Sequence, residues 1–228
     1  SIINQFLNII FPNNCHVCGN SLVDGEETMC LTCRLNLPRT NFHSEPFNEI
    51  HQRLATPGLP IDKAAAWFHY FRDNPYARML QTAKYNQSPQ IARHLGRDFA
   101  NELGLDFFNG IDILMPVPLH ITKFLKRGYN QAEEIALGVS SVTGIPIADN
   151  LRMRRHSTQT RKSATQRAAN ASNIAYVTYP EELADKHILV IDDIITTGST
   201  MLSCLKALKT AEPSVKLSVF TLAATHAV

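Results

Sequence analysis

The sequence lacks a long hydrophobic run and has no strong excess of charge of either sign. No apolar run approaches the ~20 residues that a helix needs to cross a bilayer, so no membrane span is predicted. The 22 Lys and Arg residues nearly balance the 20 Asp and Glu residues, for a formal net charge of +2. That balance excludes a uniformly basic protein of the histone kind, but not a local basic patch. The apolar stretch over residues 2–11 has no basic flank and no small-residue cleavage site, so it is not typical of a secretory signal.

The five cysteines are few and unevenly spaced, since four of them lie within residues 15–33. They form two Cys-x2-Cys pairs, and a two-residue spacer lets both thiolates of a pair reach one tetrahedral ion. We therefore predict a closed structural Zn²⁺ site with four ligands, Cys15, Cys18, Cys30 and Cys33. Redox-active dithiols or simply buried cysteines are the alternative interpretations. The clustering argues against a disulfide scaffold and favours a reducing, cytoplasmic location. Cys204, in a predicted helix near Leu205 and Leu208, is interpreted as a core residue.

Three segments with different patterns divide the chain. Residues 1–45 contain a predicted helix over residues 2–11 followed by the cysteines, and are interpreted as a zinc module. Residues 46–63 are predicted to be a linker, because the stretch 34–62 contains four prolines and little sign of regular structure. Residues 64–228 alternate strand and helix patterns, which predicts an α/β domain with a mostly parallel sheet flanked by helices. Strands are predicted over 65–71, 111–117, 145–147, 187–191 and 215–223, and helices from Pro75 and over 88–103, 130–142 and 199–209.

The strongest motif joins an apolar strand to a hydroxyl-rich turn. The strand delivers Asp192 and Asp193 to its carboxyl end, where open α/β sheets bind their ligands. The turn that follows leads into a helix whose first N–H groups favour an anion. We name this turn the phosphate loop; it consists of Thr196, Thr197, Gly198, Ser199 and Thr200. Since carboxylates accept hydrogen bonds from sugar hydroxyls, the two parts together predict a site for a ribose 5-phosphate.

Two other interpretations of this motif are open. A buried strand followed by an N-capped helix needs no ligand, because Thr and Ser are ordinary caps. A Walker-B-like acidic end of an NTPase is the second interpretation. It requires a Gly-x4-Gly-Lys-Ser/Thr loop upstream, and the sequence has none.

Two basic loops precede the motif. Residues 150–173, named here the basic segment, have basic side chains and no acidic one: Arg152, Arg154, Arg155, Arg161, Lys162 and Arg167. A charge run is usually a solvated face, but between two strands it is suited to cover an active site and to attract pyrophosphate or a nucleic-acid backbone. The second loop begins with residues 116–120, named the proline loop, and its basic residues follow at Lys123, Lys126 and Arg127. It follows a predicted strand end, so we expect it at the same edge of the sheet.

Together these segments resemble the ComF/GntX family of phosphoribosyltransferase-like competence proteins over nearly the whole chain. The family pattern includes the four cysteines, Lys84-Tyr85, and the proline loop followed by Arg127-Gly128-Tyr129-Asn130-Gln131, with Tyr129 in place of Phe. It also includes Thr158-Gln159, the Arg-x-x-Asn element from Arg167 to Asn170, and the complete acidic pair with its phosphate loop. A Leu that is usual between the Thr-Gln and Arg-x-x-Asn elements is missing, and Lys162 stands near its place.

The resemblance implies a type I phosphoribosyltransferase-like fold that binds phosphoribosyl pyrophosphate (PRPP) with Mg²⁺. It also implies a role in DNA uptake during natural transformation or in DNA utilisation. In this interpretation Asp192 and Asp193 hold the ribose hydroxyls, and the phosphate loop holds the 5-phosphate. The pyrophosphate is assigned to Val117, Pro118, Leu119, His120 and Arg127. Arg161 and Lys162 are expected to neutralise the departing charge, which is an electrostatic role. No sequence pattern indicates the acceptor.

Two further hypotheses are open at this point. The protein is alternatively a non-catalytic module that senses PRPP or a nucleotide, while the zinc module and the basic segment contact single-stranded DNA or a competence partner. In a third interpretation the zinc module only stabilises the fold, as small closed zinc sites often do.

Overall fold

Six strands are present in the computed structural model, which describes residues 13–85, 88–119, 128–155 and 173–226. They are β1 (Ala64–Tyr70), β2 (Ile113–Pro116), β3 (Leu151–Arg155), β4 (Asn173–Val177), β5 (His187–Ile195) and β6 (Lys216–Thr225). Four of them form a sheet in the order β1-β6-β5-β2, and every neighbouring pair in it is parallel. β3 and β4 pair with each other as an antiparallel ribbon. Because the four strands of the sheet are parallel, their carboxyl ends meet at one edge.

Helices cover both faces of this sheet. The α-helices are α1 (Leu31–Leu35), α2 (Glu49–Leu54), α3 (Pro75–Tyr85), α4 (Pro89–Leu103), α5 (Leu105–Phe108), α6 (Gln131–Thr143) and α7 (Ser199–Ala211), with 3₁₀ turns at Phe42–Ser44 and Pro180–Leu183. On β5, Leu189 and Ile191 share a core with residues of α3, α4 and α6. Ile188 and Val190 share the opposite core with α2 and α7. Successive strand residues point to opposite faces, so both faces are buried, and the predicted α/β sheet flanked by helices is confirmed.

The cysteine segment packs directly on the sheet domain. Cys15, Met29 and Cys33 belong to the same core as Trp67 of β1. Ion pairs also join the segment to α4, between Arg39 and Glu102 (Nε to Oε1, 2.6 Å), Arg34 and Asp98, and Glu27 and Arg97. Arg39 makes an antiparallel bridge to Phe68, which covers the outer edge of β1.

The prediction of little regular structure over residues 34–62 is wrong for Glu49–Leu54, which form α2. Asn48 caps this helix, because its Oδ1 accepts from Ile50 N at 3.0 Å. Ile50 and Leu54, one turn apart, are fully buried. A helix this short is stabilised by its cap and by packing on the sheet, not by its own periodicity. The domain division at residues 45 and 63 stays a prediction, and the predicted helix over 2–11 lies outside the described residues.

The other predicted elements agree with the structure at most positions. The strands and helices predicted from residue 64 onward are present within a few residues of their bounds, with one exception. The strand over 145–147 is reduced to a single parallel bridge between Leu114 and Ile147. The basic segment carries β3 and the start of β4 at its two ends, and this ribbon touches α7 where Ala175 N donates to Ser203 Oγ at 3.2 Å. Within the described residues, no helix has the length and apolar character required to cross a bilayer.

Candidate functional site

The carboxyl edge of the sheet brings together segments that are distant in the sequence. β2 and β5 pair in parallel, with Pro116 opposite Ile191. Val117 N donates to Ile191 O at 2.8 Å, so the proline loop begins beside Asp192. The acidic pair, the phosphate loop and the described part of the proline loop therefore share one edge of the sheet.

Asp192 and Asp193 lie at the end of β5, and both are half-buried. Each carboxylate accepts the amide N–H of the next residue, from Asp193 N and Ile194 N respectively, at 2.8 Å in both cases. Carboxylate oxygens are hydrogen-bond acceptors, so this pair is suited to the hydroxyls of a ligand. Burial and, secondarily, the charge of Asp192 raise the pKa of the Cys204 thiol. Cys204 is fully buried, which confirms it as a core residue.

The phosphate loop connects β5 to α7. Gly198 is its buried centre and has φ of +81°, in the left-handed region that favours glycine. The four hydroxyl-bearing residues around it are exposed. Thr197 Oγ1 accepts from Ser199 N, the first amide of α7, at 3.4 Å, and Gly198 at the N-cap position has no side chain to cap the helix. Because the N–H groups of a helix start carry partial positive charge, the loop is suited to bind an anion.

The described part of the proline loop is held by α6. Val117 is buried, and Pro118 and Leu119 are half-buried. Asn130 joins the loop to the helix, because its Nδ2 donates to Val117 O at 3.0 Å and its Oδ1 accepts from Ala132 N at 3.2 Å. A cavity of about 370 Å³ opens beside the loop. The position of the loop next to the acidic pair is thus fixed by β2 on one side and α6 on the other.

The four predicted zinc ligands lie together. The Sγ atoms of Cys15, Cys18, Cys30 and Cys33 are all within 4.8 Å of one another. Cys18 Sγ and Cys30 Sγ are 3.8 Å apart, the separation expected for a tetrahedral ion with Zn–S bonds of about 2.3 Å. No disulfide joins the five cysteines, all of which are among the described residues. The donor set and its spacing therefore fit a structural Zn²⁺ ion.

Backbone N–H groups favour the thiolate of one ligand. Burial raises the pKa of the Cys15 thiol, but hydrogen bonds from the backbone of Cys18, Cys30 and Val17 outweigh it and lower the pKa to about 7. One of these donors is Cys30 N, 3.3 Å from Cys15 Sγ. Since the thiolate is the form that binds metal, these hydrogen bonds favour metal binding by Cys15.

Comparison with known proteins places the chain in a family. The family model described as "Phosphoribosyl transferase domain" matches residues 81–227, more than half of the chain. Competence protein F of Haemophilus influenzae is 33% identical over 217 residues, which cover 87% of this chain and 92% of that protein. The chain belongs to the ComF family.

Other similar proteins were found for this ComF-family chain. DNA utilization protein YhgH of Escherichia coli O6:H1 is 26% identical over 205 residues, covering 82% of this chain and 80% of that protein. Among solved structures, the "allosteric regulatory enzyme of purine biosynthesis" aligns with a TM-score of 0.39 and 20% identity over 58% of this chain and 25% of that chain.

Several predicted site residues of the ComF-family chain lie outside the described residues, namely His120, Arg127, Arg161 and Lys162. Part of the basic segment is described on the ribbon. Arg154 of β3 is exposed, and its guanidinium carbon lies 5.4 Å from the ring centroid of Tyr176 on β4. The Tyr176 residue is 39% exposed. The ribbon of β3 and β4 thus presents a basic and aromatic surface.

Sequence reasoning missed the role of α2 in the ComF-family site. A Cβ added at Gly198 would lie 3.0 Å from Leu54 Cδ2 and 3.5 Å from Arg53 Cγ, so the phosphate loop rests directly on α2. The order of Asn48, Ile50 and Leu54, a cap followed by apolar residues four apart, is a signal for a short helix. No sequence signal connects Arg53 with a loop more than 140 positions later in the chain.

Proposed function

We propose that this ComF-family protein binds PRPP at the carboxyl edge of its sheet and transfers the phosphoribosyl group to an acceptor. One observation carries the proposal. The acidic pair, the glycine-centred phosphate loop and the proline loop are neighbours, linked through the hydrogen bond from Val117 N to Ile191 O at 2.8 Å. PRPP carries ribose hydroxyls, a 5-phosphate and a pyrophosphate, so three adjacent sites of suitable chemistry match its three parts.

The proposed roles follow from the chemistry of each segment. Asp192 and Asp193 accept hydrogen bonds from the ribose hydroxyls, which are donors. The phosphate loop binds the 5-phosphate through the N–H groups at the start of α7 and the hydroxyls around Gly198. Residues 117–120 and Arg127 bind the pyrophosphate, and Arg161 and Lys162 neutralise its charge as it departs.

In the proposed reaction, the bond between the anomeric carbon of ribose and the pyrophosphate oxygen breaks, and pyrophosphate keeps the electron pair. A nucleophilic atom of the acceptor forms the new bond to that carbon and releases its proton to solvent. The carboxylates of Asp192 and Asp193 are oxygen ligands of the kind that Mg²⁺ prefers, so the donor set fits this ion. Mg²⁺ bound with PRPP would stabilise the negative charge on the leaving pyrophosphate. Positive charge that develops on the ribose ring is stabilised by the same two carboxylates.

PRPP binding, titrated by calorimetry with and without Mg²⁺, tests the proposal. We expect the double variant Asp192→Asn with Asp193→Asn to bind PRPP at least about tenfold more weakly, because hydrogen bonds to charged groups are lost. Asp185→Asn is the matched control. Asp185 is exposed with φ of +58°, a conformation that Asn tolerates. No PRPP binding by the wild type at millimolar concentration would refute the proposal.

A second candidate function is that of a non-catalytic module that binds PRPP or a nucleotide together with single-stranded DNA or a competence partner. The exposed pair of Arg154 and Tyr176 favours it, because single-stranded nucleic acid binds to surfaces that combine cations with aromatic rings. Salt-dependent DNA binding without pyrophosphate release from PRPP, for every base and nucleic acid screened, would favour this candidate over the enzyme. DNA binding retained after the double Asp→Asn change would indicate a DNA site separate from the PRPP site.

We further propose that the zinc module stabilises the fold and that the protein works in the reducing cytoplasm. Two ligands, Cys15 and Cys33, are buried in the core of the sheet domain. Tyr76 Oη of α3 donates to Cys33 O at 2.7 Å, which ties the second cysteine pair to that domain. Thiols gathered around a metal site, without disulfides, are typical of a reducing compartment.

A further inference from the structure

Arg53 of α2 joins three separate parts of the chain beneath the phosphate loop. Its side chain is 8% exposed. Nη1 donates to Thr196 O at 2.6 Å and to Ile195 O at 3.2 Å. Nη2 donates to Thr225 O, at the end of β6, and to Glu49 Oε1, each at 2.5 Å. The guanidinium therefore holds the end of β5 and the first residue of the phosphate loop against both α2 and β6.

The orientation of the Thr196 carbonyl decides where the next amide points. A peptide unit is planar and trans, so the C=O of one residue and the N–H of the next point in opposite directions. Because Arg53 binds Thr196 O, the N–H of Thr197 is directed away from α2. A phosphate is bound by N–H groups and repelled by carbonyl oxygens, so a flip of this peptide would replace a donor with an acceptor.

The backbone of the phosphate loop has little room to move toward α2. A Cβ on Gly198, two residues after Thr196, would lie only 3.0 Å from Leu54 Cδ2, so a side chain there would force Leu54 or the loop to shift. A guanidinium offers several donors in one rigid plane, so Nη1 can hold the carbonyls of Ile195 and Thr196 while Nη2 holds that of Thr225. An ammonium group in the same place is a compact point charge without this fork geometry.

We propose that Arg53 is a positioning residue of the phosphate loop. By binding the carbonyls of Ile195 and Thr196, it directs the N–H of Thr197 to the 5-phosphate of the ligand. This inference rests on the proposed function, since it assigns Arg53 to the 5-phosphate half of the PRPP site and not to the pyrophosphate half.

Separate probes for the two halves of the site test the inference. Ribose 5-phosphate, inorganic pyrophosphate and PRPP are titrated by calorimetry into the wild type, Arg53→Met and Arg53→Lys. Arg53→Met should lower the affinities for ribose 5-phosphate and PRPP at least about tenfold, since the buried donors to the loop are lost. The affinity of Arg53→Met for pyrophosphate should stay within about twofold of the wild-type value. The affinities of Arg53→Lys for ribose 5-phosphate and PRPP should lie between those of the wild type and Arg53→Met.

Arg39→Met is the matched control. Arg39 is likewise hydrogen-bonded by two nitrogens, to Glu102 at 2.6 and 3.0 Å, but it lies on the side of the zinc module. We expect it to leave all three affinities unchanged. Unchanged ribose 5-phosphate affinity in Arg53→Met, or an equal loss for pyrophosphate, would overturn the inference.

Amide hydrogen exchange without ligand gives a second, independent readout. The amides of residues 197–200 should exchange faster in Arg53→Met than in the wild type or Arg39→Met, because the loop is released from α2. If the wild type binds none of the three probes, the proposed function fails. Slow exchange of these amides in Arg53→Met would then still refute the role of Arg53 in ordering the loop.

Discussion

Gly198 meets two constraints in the phosphate loop, one from its own backbone and one from α2. Its φ is +81°, and a Cβ there would lie 3.0 Å from Leu54 Cδ2. We predict that Gly198→Ala lowers the free energy of unfolding by about 1–3 kcal/mol, since both the left-handed backbone and the contact become unfavourable. PRPP affinity should fall as well, because the loop must move away from α2 to make room. Urea unfolding and PRPP titration measure the two effects.

Gly144→Ala separates the two constraints. Gly144 ends α6 with φ of +72°, and a Cβ there would meet no atom within 4 Å. Its free energy of unfolding should fall by about 1 kcal/mol from backbone strain alone, and its affinity for PRPP should equal that of the wild type. PRPP affinity in Gly198→Ala within about twofold of the wild type would contradict the assigned role of the loop.

Among the helices and strands, α2 is held in place by one buried side chain at its start. Asn48 is fully buried and makes contacts in two directions. Its Oδ1 accepts from Ile50 N at 3.0 Å, and its Nδ2 donates to Phe42 O and Ala64 O, both at 2.8 Å. We predict that Asn48→Ala lowers the free energy of unfolding by about 2–4 kcal/mol, because the cap is lost and two buried carbonyls lose a donor. Urea unfolding measures the change.

Asn36→Ala is the control for Asn48→Ala. Asn36 also binds a backbone carbonyl, since its Nδ2 donates to Thr32 O at 2.9 Å, but it is exposed, so water can replace it. The expected loss is below about 1 kcal/mol. Equal losses in the two variants would show that α2 does not depend on its cap.

The contrast between α2 and β5 shows what sequence patterns can predict in this fold. The sequence predicts β5 because a parallel strand buried on both faces is a continuous apolar run, and its motif continues through Asp192 into the phosphate loop. α2 has only six residues, and its stability comes from Asn48 and from contacts with the sheet. The ribbon of β3, which has three arginines, and β4 depends on pairing and on α7, contacts that no local pattern reveals. Arg53 was missed for the same reason, because its carbonyl partners are brought to it only by the tertiary fold.

Loss of zinc should lower the thermal stability of the whole protein, because the zinc module and the sheet domain share one core. Cys15 and Cys33 pack in the cluster that contains Trp67, the single tryptophan of the chain. An ion that binds the folded state and is present at about a hundred times its Kd raises the free energy of unfolding by about 2.7 kcal/mol. Its removal should therefore lower Tm by roughly 5–11 °C in a chain of this size. Calorimetry with and without a chelator measures Tm, and Trp67 fluorescence should change together with it.

Cys18→Ser distinguishes the contribution of the metal from that of packing. Cys18 is the exposed member of the ligand set, so serine there removes a ligand with little loss of buried apolar surface. This variant should therefore show the Tm of the chelated wild type, and added Zn²⁺ should not restore it. Cys204→Ala, which changes a buried thiol of the opposite core, should lose stability while keeping one zinc per chain. If instead Cys18→Ser keeps the Tm of the wild type and chelation leaves Trp67 emission unchanged, the zinc module does not support the shared core. A contact with DNA or a protein partner would then be the better explanation for its four cysteines.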